Sequence, residues 1–366
     1  MKTEAAVSRE GQPFPVIEAL DIEEPRPNEA LIRIVASGIC HTDLGVHSGR
    51  GMQVPKPLVL GHEGAGIVER VGAAVTTLKA GDHVVLSGAS CGRCPSCQNN
   101  LPSYCEEMLP RNFGGARIDG SSPLSQRGER VGGSFFGQSS FSRLTVADER
   151  SAVKMPDDVP LDILGPLGCG VITGSGAVIN SFGMRAGQTL AVFGAGGVGL
   201  SAVMAARLVG AKRIVAVDPV ASRRALALEL GATDVVDPGA GDPAAAIREI
   251  VPRGVDFSFN TTTVPAVYTQ ALDCLAMRGM AGFVTAPRGE WAPHMYKMLS
   301  GGRTMKGILG GDAKPSLFLP MLVDYWRQGR FPFDRLITFY PFEHIATAFQ
   351  DTASGKTIKP VLRMAA

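Results

Sequence analysis

The sequence predicts an α/β protein of two domains: a barrel-like β domain, and an open parallel sheet with helices on both faces. Two patterns predict this. Residues 1–90 carry short strand-like runs punctuated by glycine and proline, with little helical periodicity. From about Gln188 short apolar strands alternate with amphipathic helices, the pattern of a doubly wound sheet. A length of 366 residues suits two domains of ordinary size, and 45% hydrophobic against 19% charged residues supplies a substantial core.

In the first half, residues 31–35 (LIRIV), 66–71 and 83–86 read as strands. Residues 189–193 are a short apolar strand, after which Val198, Ala202, Ala205 and Leu208 or Val209 share one helical face. Strand 213–217, helix 221–230, strand 234–236, helix 244–251, strand 255–259, helix 265–277 and strand 282–285 follow. A helix at 315–328 comes after that domain or at its edge. Residues 358–363 form a last strand that returns to the first domain, so the ends of the chain build one domain and the middle the other.

Net charge is +2 with basic residues scattered, which argues against a nucleic-acid or polybasic membrane surface. Residues 1–10 carry Lys2, Glu4, Arg9 and Glu10 and no apolar run, so no signal peptide is expected and a cytoplasmic setting is. Residues 164–184 and 186–206 are long enough to span a bilayer and uncharged, but glycines break both; they read as buried core and not as membrane spans.

Seven cysteines, an odd number, argue against a disulfide framework. Cys91, Cys94, Cys97 and Cys105 lie close enough to close a tetrahedral structural zinc site, with Gly92 and Pro95 allowing the tight turns. Free thiols or a redox CxxC pair are the competing readings, and no thioredoxin-like unit surrounds the cluster. A zinc ribbon for nucleic acid is disfavoured because the cluster holds a single arginine, Arg93. Separately, Cys40, His62 and Cys169 each stand in a glycine-rich setting. Three such ligands leave one coordination position open, as catalytic zinc requires. His62 alone could be a satisfied core histidine; beside Glu63 and two distant cysteines the metal reading is stronger. Cys274, in an apolar run, is read as a buried inert thiol.

Gly194-Ala-Gly196-Gly197-Val198-Gly199 follows a strand and opens a helix, the context that makes this fingerprint informative. Gly194 permits the tight turn, Gly196 lets backbone approach a pyrophosphate, and Gly199 lets helix and strand pack. Asp218 ends the next strand, where its carboxylate would accept from ribose hydroxyls and repel a 2′-phosphate, favouring NAD. Arg223 and Arg224 follow, and either could meet a phosphate.

With these motifs in place, the sequence resembles the zinc-containing medium-chain alcohol dehydrogenases almost end to end. Gly38-Ile-Cys40-His-Thr42-Asp43, Gly61-His62-Glu63-Gly64-Ala-Gly66 and Gly168-Cys169-Gly170 look like the family's three zinc-ligand motifs, and residues 91–105 like its structural-zinc lobe. Within the family it is similar to bacterial benzyl (aryl) alcohol dehydrogenases, through residues 133–141, 165–169 and 327–334. The resemblance implies a GroES-like β-barrel catalytic domain at 1–170 and 312–366 and a Rossmann NAD-binding domain at 171–311. It implies two zinc ions per subunit and reversible oxidation of an alcohol to an aldehyde with NAD. Cys40, His62 and Cys169 would hold the catalytic zinc. Glu63 would be a carboxylate near the metal, Asp43 would fix the His62 tautomer, and Thr42 would hand off the substrate proton. His41 and Lys359 would contact the cofactor pyrophosphate, Arg223 the adenosine ribose, and the backbone around Val284 and Ala286 the nicotinamide amide. The segment 106–142 is similar to what dimeric relatives carry, so a homodimer is expected.

Departures from the family pattern shape the expectations. Gly45 stands where many relatives carry a proton-relay histidine, leaving His47 or solvent for proton exit. Leu109 stands where glutathione-dependent formaldehyde dehydrogenases carry arginine, which argues against that activity. Thr285 replaces a glycine common in the nicotinamide segment. Ser87 and Gly88 replace bulky residues and suggest room for a large or branched alcohol. The competing readings are a polyol or secondary-alcohol dehydrogenase, a zinc-free quinone reductase, and a catalytically inactive NAD sensor or structural protein. The inactive class has no need of a complete ligand set together with Thr42.

Overall fold

The computed structural model describes residues 1–364. The described chain forms two units: Met1–Cys169 with Lys314–Met321 and residues 334–364, and Gly170–Ala313 with Leu322–Phe333. The residues Leu322–Phe333, which the sequence reading left with the first domain, cluster with the second.

The first unit begins with β1 (Lys2–Ser8), β2 (Val16–Ile22), β3 (Glu29–Gly38), α1 (His41–His47), β4 (Leu58–Val59), β5 (Gly64–Val71) and β6 (His83–Leu86). It continues with α2 (Pro95–Gln98), α3 (Met108–Phe113), β7 (Leu124–Gln126), β8 (Glu129–Val131), β9 (Leu144–Asp148) and β10 (Ala152–Lys154). The second unit runs α4 (Gly170–Gly176), β11 (Thr189–Phe193), α5 (Gly197–Leu208), β12 (Arg213–Val217), α6 (Ala221–Leu230), β13 (Asp234–Val236), α7 (Pro243–Ile250), β14 (Val255–Asn260), α8 (Pro265–Asp273), β15 (Leu275–Phe283), α9 (Met295–Gly301) and β16 (Thr304–Gly307). Helix α10 (Pro315–Arg327) is divided between the units. Strand β17 (Ile337–Pro341), α11 (Ile345–Ala353) and β18 (Lys359–Arg363) complete the first.

In the first unit one sheet has the order β4-β1-β2-β7-β8. A second has the order β10-β6-β5-β3-β18-β17, with β9 also on β3. Strand β3 organises the second sheet, pairing antiparallel with β5, β9 and β18. Its run Ala30–Ile32 is almost fully buried, and together with Val7, Leu86, Phe141 and Phe349 it forms one apolar cluster. Register shifts in the β3–β5 ladder fall between Leu31 and Ile32 and between Ile34 and Ala36, the second close to the ends of the strands that carry Cys40 and His62. Bulges re-aim side chains in this way.

The second unit holds a wholly parallel sheet in the order β13-β12-β11-β14-β15-β16. Numbered from the first strand of the unit this is 3-2-1-4-5-6, the doubly wound Rossmann order, with the strand-order reversal beside β11. The alternation read from the sequence gives this sheet, with one correction. The helix expected over 265–277 stops at Asp273, and the strand expected at 282–285 already begins at Leu275. The apolar run through Cys274 fits either periodicity. Pairing of Val255 with Leu275 draws the chain into the sheet beside β14 before the helix can continue. Cys274 is fully buried, and burial pushes its thiol up to about 12, as an inert thiol requires.

Candidate metal centres and cofactor site

Two groups of metal-ligating side chains form among the described residues: Cys91, Cys94, Cys97 and Cys105; and Cys40, His62, Glu63 and Cys169. In each, one donor atom per residue lies within 4.8 Å of all the others.

In the first group the chain turns tightly around its sulfurs. The N–H groups of Arg93 and Cys94 donate to Cys91 Sγ at 3.4 and 3.3 Å, and that of Cys91 donates to Cys105 Sγ at 3.2 Å. The hydrogen bond from Arg93 N–H is the main reason the Cys91 thiol is held down to about 6. The sulfurs of Cys91 and Cys97 are 3.9 Å apart. Tetrahedral zinc with bonds of about 2.3 Å separates its sulfurs by about 3.8 Å, so the cage fits that ion and all four positions are filled.

The second group lies wholly within the first unit. Cys40 closes β3 and caps α1; Asp43, three residues on, accepts from Cys40 N–H at 2.9 Å, the reciprocal bond of a capping box. The other Asp43 oxygen accepts from Gly61 N–H at 3.1 Å and holds His62 Nδ1 at 3.0 Å. One buried carboxylate thus joins the two ligand-bearing segments. His62 is 1% exposed, and its Nε2 is a buried atom with no hydrogen-bond partner. Burial opposes a proton on His62, yet the charge and hydrogen bond of Asp43 hold its basicity well above the ordinary value. The pocket therefore favours positive charge at Nε2. A hydrogen bond from Cys169 is the main reason Cys40 is held well below the ordinary thiol value, while Cys169 is pushed up in turn. Two sulfurs gathered beside a buried imidazole nitrogen with no hydrogen-bond partner make a donor set that a divalent cation would satisfy, and zinc fits it. Cys40 and Cys169 are only half-buried, so the metal position is reachable.

Around this centre the structure pairs two residues already singled out, Glu63 and Lys359, and adds Phe136 and Gln138, whose roles sequence reasoning missed. Glu63, fully buried, pairs through both oxygens with Lys359 Nζ at 2.8 and 2.9 Å, and Lys359 also donates to Ile39 C=O at 3.3 Å. Lys359, expected at the pyrophosphate, is 5% exposed and has its three N–H bonds directed at protein oxygens. Burial disfavours its charge, but Glu63 outweighs burial and raises its basicity. Phe136 has φ +50°, a left-handed conformation costly for a bulky residue, and its ring stacks on His62 with centroids 4.5 Å apart at 24°. Phe113 and Phe135 pack edge-on against Phe136. Gln138, fully buried, accepts from Gly64 N–H and donates to His62 C=O, both at 3.1 Å, bracketing Glu63 as a neighbouring strand would. The stretch 133–141 was legible only as a resemblance, because neither a left-handed phenylalanine nor a side chain standing in for a strand leaves a periodic signal.

Thr42 Oγ1 lies 3.8 Å from Cys40 Sγ, half-buried in the first turn of α1, and His41 beside it is exposed. Gly45 is covered by the following loop: the N–H groups of Arg50 and Gly51 donate to its C=O at 3.0 and 2.9 Å. His47, the alternative proton exit, points elsewhere, with Nδ1 on Ser8 Oγ at 2.7 Å and its ring edge on Phe349. Ser87 is buried with its hydroxyl on Ser151 C=O. A Cβ at Gly88 would sit 3.3 Å from Asn112 Oδ1 and 3.7 Å from Phe136, so the space there is small.

In the second unit the fingerprint glycines take distinct places. Gly194 has φ +95°, and a Cβ on Gly199 would collide with Gly194 C=O. A Cβ on Gly196 would meet no protein atom within 4 Å; that open space is where a pyrophosphate would lie. Gly197 and Val198 begin α5, whose N-cap has no side-chain hydrogen bond, leaving its first amides for an anion. Asp218 accepts from Ala195 N–H and Val220 N–H, each at 2.8 Å, so it also shapes the phosphate turn. Arg224 is engaged with Asp218 C=O and Asp237, both at 2.7 Å; Arg223 approaches the Asp218 carboxylate at 3.9 Å. Val284 and Ala286 follow β15, half-buried and exposed.

Residues 26–157 match the family model of the alcohol dehydrogenase GroES-like domain, and residues 197–323 that of the zinc-binding dehydrogenases. The chain is 50% identical to a geraniol dehydrogenase from Castellaniella defragrans, covering 99% of this chain and 98% of that one. Among solved structures it is similar to an alcohol dehydrogenase zinc-binding domain protein from Burkholderia ambifaria, at 50% identity, TM-score 0.98 and full coverage of both chains. A benzyl alcohol dehydrogenase from Acinetobacter calcoaceticus is 43% identical with TM-score 0.96, again over both whole chains. With two zinc-fitting cages, a Rossmann sheet carrying the fingerprint and matches along its whole length, the chain belongs to the zinc-containing medium-chain alcohol dehydrogenases and is a zinc- and NAD-dependent alcohol oxidoreductase.

Proposed function

We propose that the enzyme interconverts a primary alcohol conjugated to an aromatic ring or a double bond with its aldehyde, using NAD in preference to NADP. The observation that carries the substrate class is the Phe136 ring laid on the His62 imidazole, an aromatic wall beside the metal position. A flat unsaturated substrate stacks on such a wall; a polyol leaves its hydroxyls unpaired there. The names of the geraniol and benzyl alcohol dehydrogenases it is similar to support the same class.

When bound, zinc acidifies the alcohol hydroxyl and polarises the aldehyde carbonyl, and NAD takes or gives the hydride. Cys40, His62 and Cys169 would hold the metal, and Asp43 keeps Nδ1 of His62 occupied so that Nε2 is left for it. Thr42 Oγ1 accepts the hydroxyl proton and passes it towards solvent, so that alcohol and NAD⁺ give aldehyde, NADH and one proton. Glu63, neutralised by Lys359, supplies a carboxylate beside the thiolates without adding net charge. A pyrophosphate contact by Lys359 requires it to leave Glu63. On the second unit, Gly194, Gly196, Gly197, Val198 and Gly199 would hold the pyrophosphate, Asp218 the ribose hydroxyls with Arg223 beside them, and the backbone at Val284 and Ala286 the nicotinamide amide. The Asp218 carboxylate, 3% exposed, supports NAD because a 2′-phosphate would meet its charge.

A homodimer and a cytoplasmic setting complete this reading. Met295, Tyr296 and Leu299 on α9 are 60%, 73% and 76% exposed, an apolar face that supports self-association. Six of the seven cysteines lie in the two metal cages, a use of thiols that supports a reducing compartment. No helix among the described residues is long and apolar enough to cross a membrane.

The test is NAD⁺ reduction with benzyl, cinnamyl, terpenoid allylic, linear and secondary alcohols. Aryl and allylic primary alcohols should exceed saturated linear and secondary ones by at least about tenfold in kcat/KM. A secondary alcohol or polyol as best substrate would give the assignment to that alternative.

A further inference from the structure

Thr285 stands where the family commonly has glycine, and the second unit shows what its side chain does. Beyond Phe283 the chain leaves β15 and needs an anchor. Thr285 Oγ1 donates to Thr262 C=O at 2.5 Å. The hydroxyl of Tyr268, on α8, donates to Thr285 C=O at 2.7 Å and lies 2.9 Å from its Oγ1. Tyr268 is 3% exposed, and its ring lies flat on Phe283, 5.0 Å between centroids at 5°. Three residues on, Arg288 N–H donates to Thr263 C=O at 2.8 Å.

The threonine turn that receives these bonds is itself tied to the phosphate turn. Thr261 Oγ1 donates to the carbonyls of Phe193 and Gly194 at 3.0 and 3.1 Å, and Thr262 N–H donates to Asn260 Oδ1 at 2.8 Å. One continuous set of hydrogen bonds thus runs from the first fingerprint glycine through Thr261–Thr263 to Thr285 and Tyr268.

We propose that Tyr268, Thr285 and Thr262 form a positioning lock that presets the 284–286 backbone to receive the nicotinamide in register with the pyrophosphate turn. This rests on the reading that the backbone at Val284 and Ala286 holds the nicotinamide amide. Thr285 is pinned at both its carbonyl and its side chain, which fixes the peptide groups on either side of it. With glycine there, the segment keeps freedom that cofactor binding must remove; a segment held beforehand avoids that loss. The lock acts on the nicotinamide half of the cofactor and not on the adenosine half.

The experiment titrates the zinc-loaded enzyme with NADH and with ADP-ribose, which lacks the nicotinamide, and follows NADH fluorescence. Thr285→Val keeps shape and removes the hydroxyl; Tyr268→Phe removes the other partner; Thr285→Ser restores the hydroxyl. In T285V and Y268F, NADH should bind about 5- to 20-fold more weakly with reduced fluorescence enhancement, with ADP-ribose within about twofold and T285S close to wild type. Parallel weakening of both ligands would overturn the lock, since the network would then support the whole unit. Unchanged NADH binding in both variants would overturn it too. Wild-type enzyme that binds NADH no tighter than ADP-ribose, with unenhanced fluorescence, would remove the nicotinamide reading of 284–286 itself and the lock with it.

Discussion

His62 divides its ring nitrogens between two tasks. Nδ1 is held by Asp43, and Nε2 is left buried and unpaired among Cys40, Cys169 and Glu63. The same carboxylate caps Cys40 and grips Gly61, so it sets ligand direction as well as tautomer. Asp43→Asn keeps the size but removes the charge. It should weaken zinc at this centre by about 10–100-fold, measured by competition with a chelator, while the four-cysteine site keeps its metal. Equal metal retention at both centres would leave Asp43 without the role assigned to it. At this scale the ligands were legible because glycine-rich surroundings and residue type announce a metal. Phe136, Gln138 and the Glu63–Lys359 pair were not. Their roles depend on a left-handed backbone, a side chain bridging two peptide groups, and a contact across nearly the whole sequence.

Among the elements, the four-cysteine lobe and the parallel sheet were the easiest to read. The lobe's spacing is local. The sheet's short apolar strands repeat between amphipathic helices, and its strand boundaries at 189–193, 213–217 and 234–236 coincide with the structure. The α8–β15 junction was misplaced because an apolar stretch serves a buried helix and a buried strand alike, and only the Val255–Leu275 pairing decides between them. The lobe is short of other support: Cys91, Cys94 and Cys105 form a small cluster whose apolar packing partners are Cys97 and Met108. Metal binding is therefore its main source of order. Cys97→Ser should lower the thermal midpoint by at least roughly 5 °C while the folded fraction keeps wild-type kcat. Loss of turnover with unchanged melting would mean the lobe takes part in the chemistry.

For the whole molecule, the sequence places two metal sets on the first unit and one dinucleotide fingerprint on the second, and the structure gathers the set of Cys40, His62 and Cys169 from distant parts of the chain. The catalytic donors come from the end of β3, the turn before β5 and the segment preceding α4, positions that only the folded barrel brings together. The account stands on that cage holding zinc in addition to the lobe. The most direct measurement is elemental analysis of the purified, active enzyme alongside His62→Ala, each checked for folding by circular dichroism. The expected result is about two zinc ions per wild-type chain, and about one in a folded variant that no longer oxidises alcohol. A fully active wild type with a single zinc, or a His62→Ala variant that keeps both ions and its turnover, would contradict it.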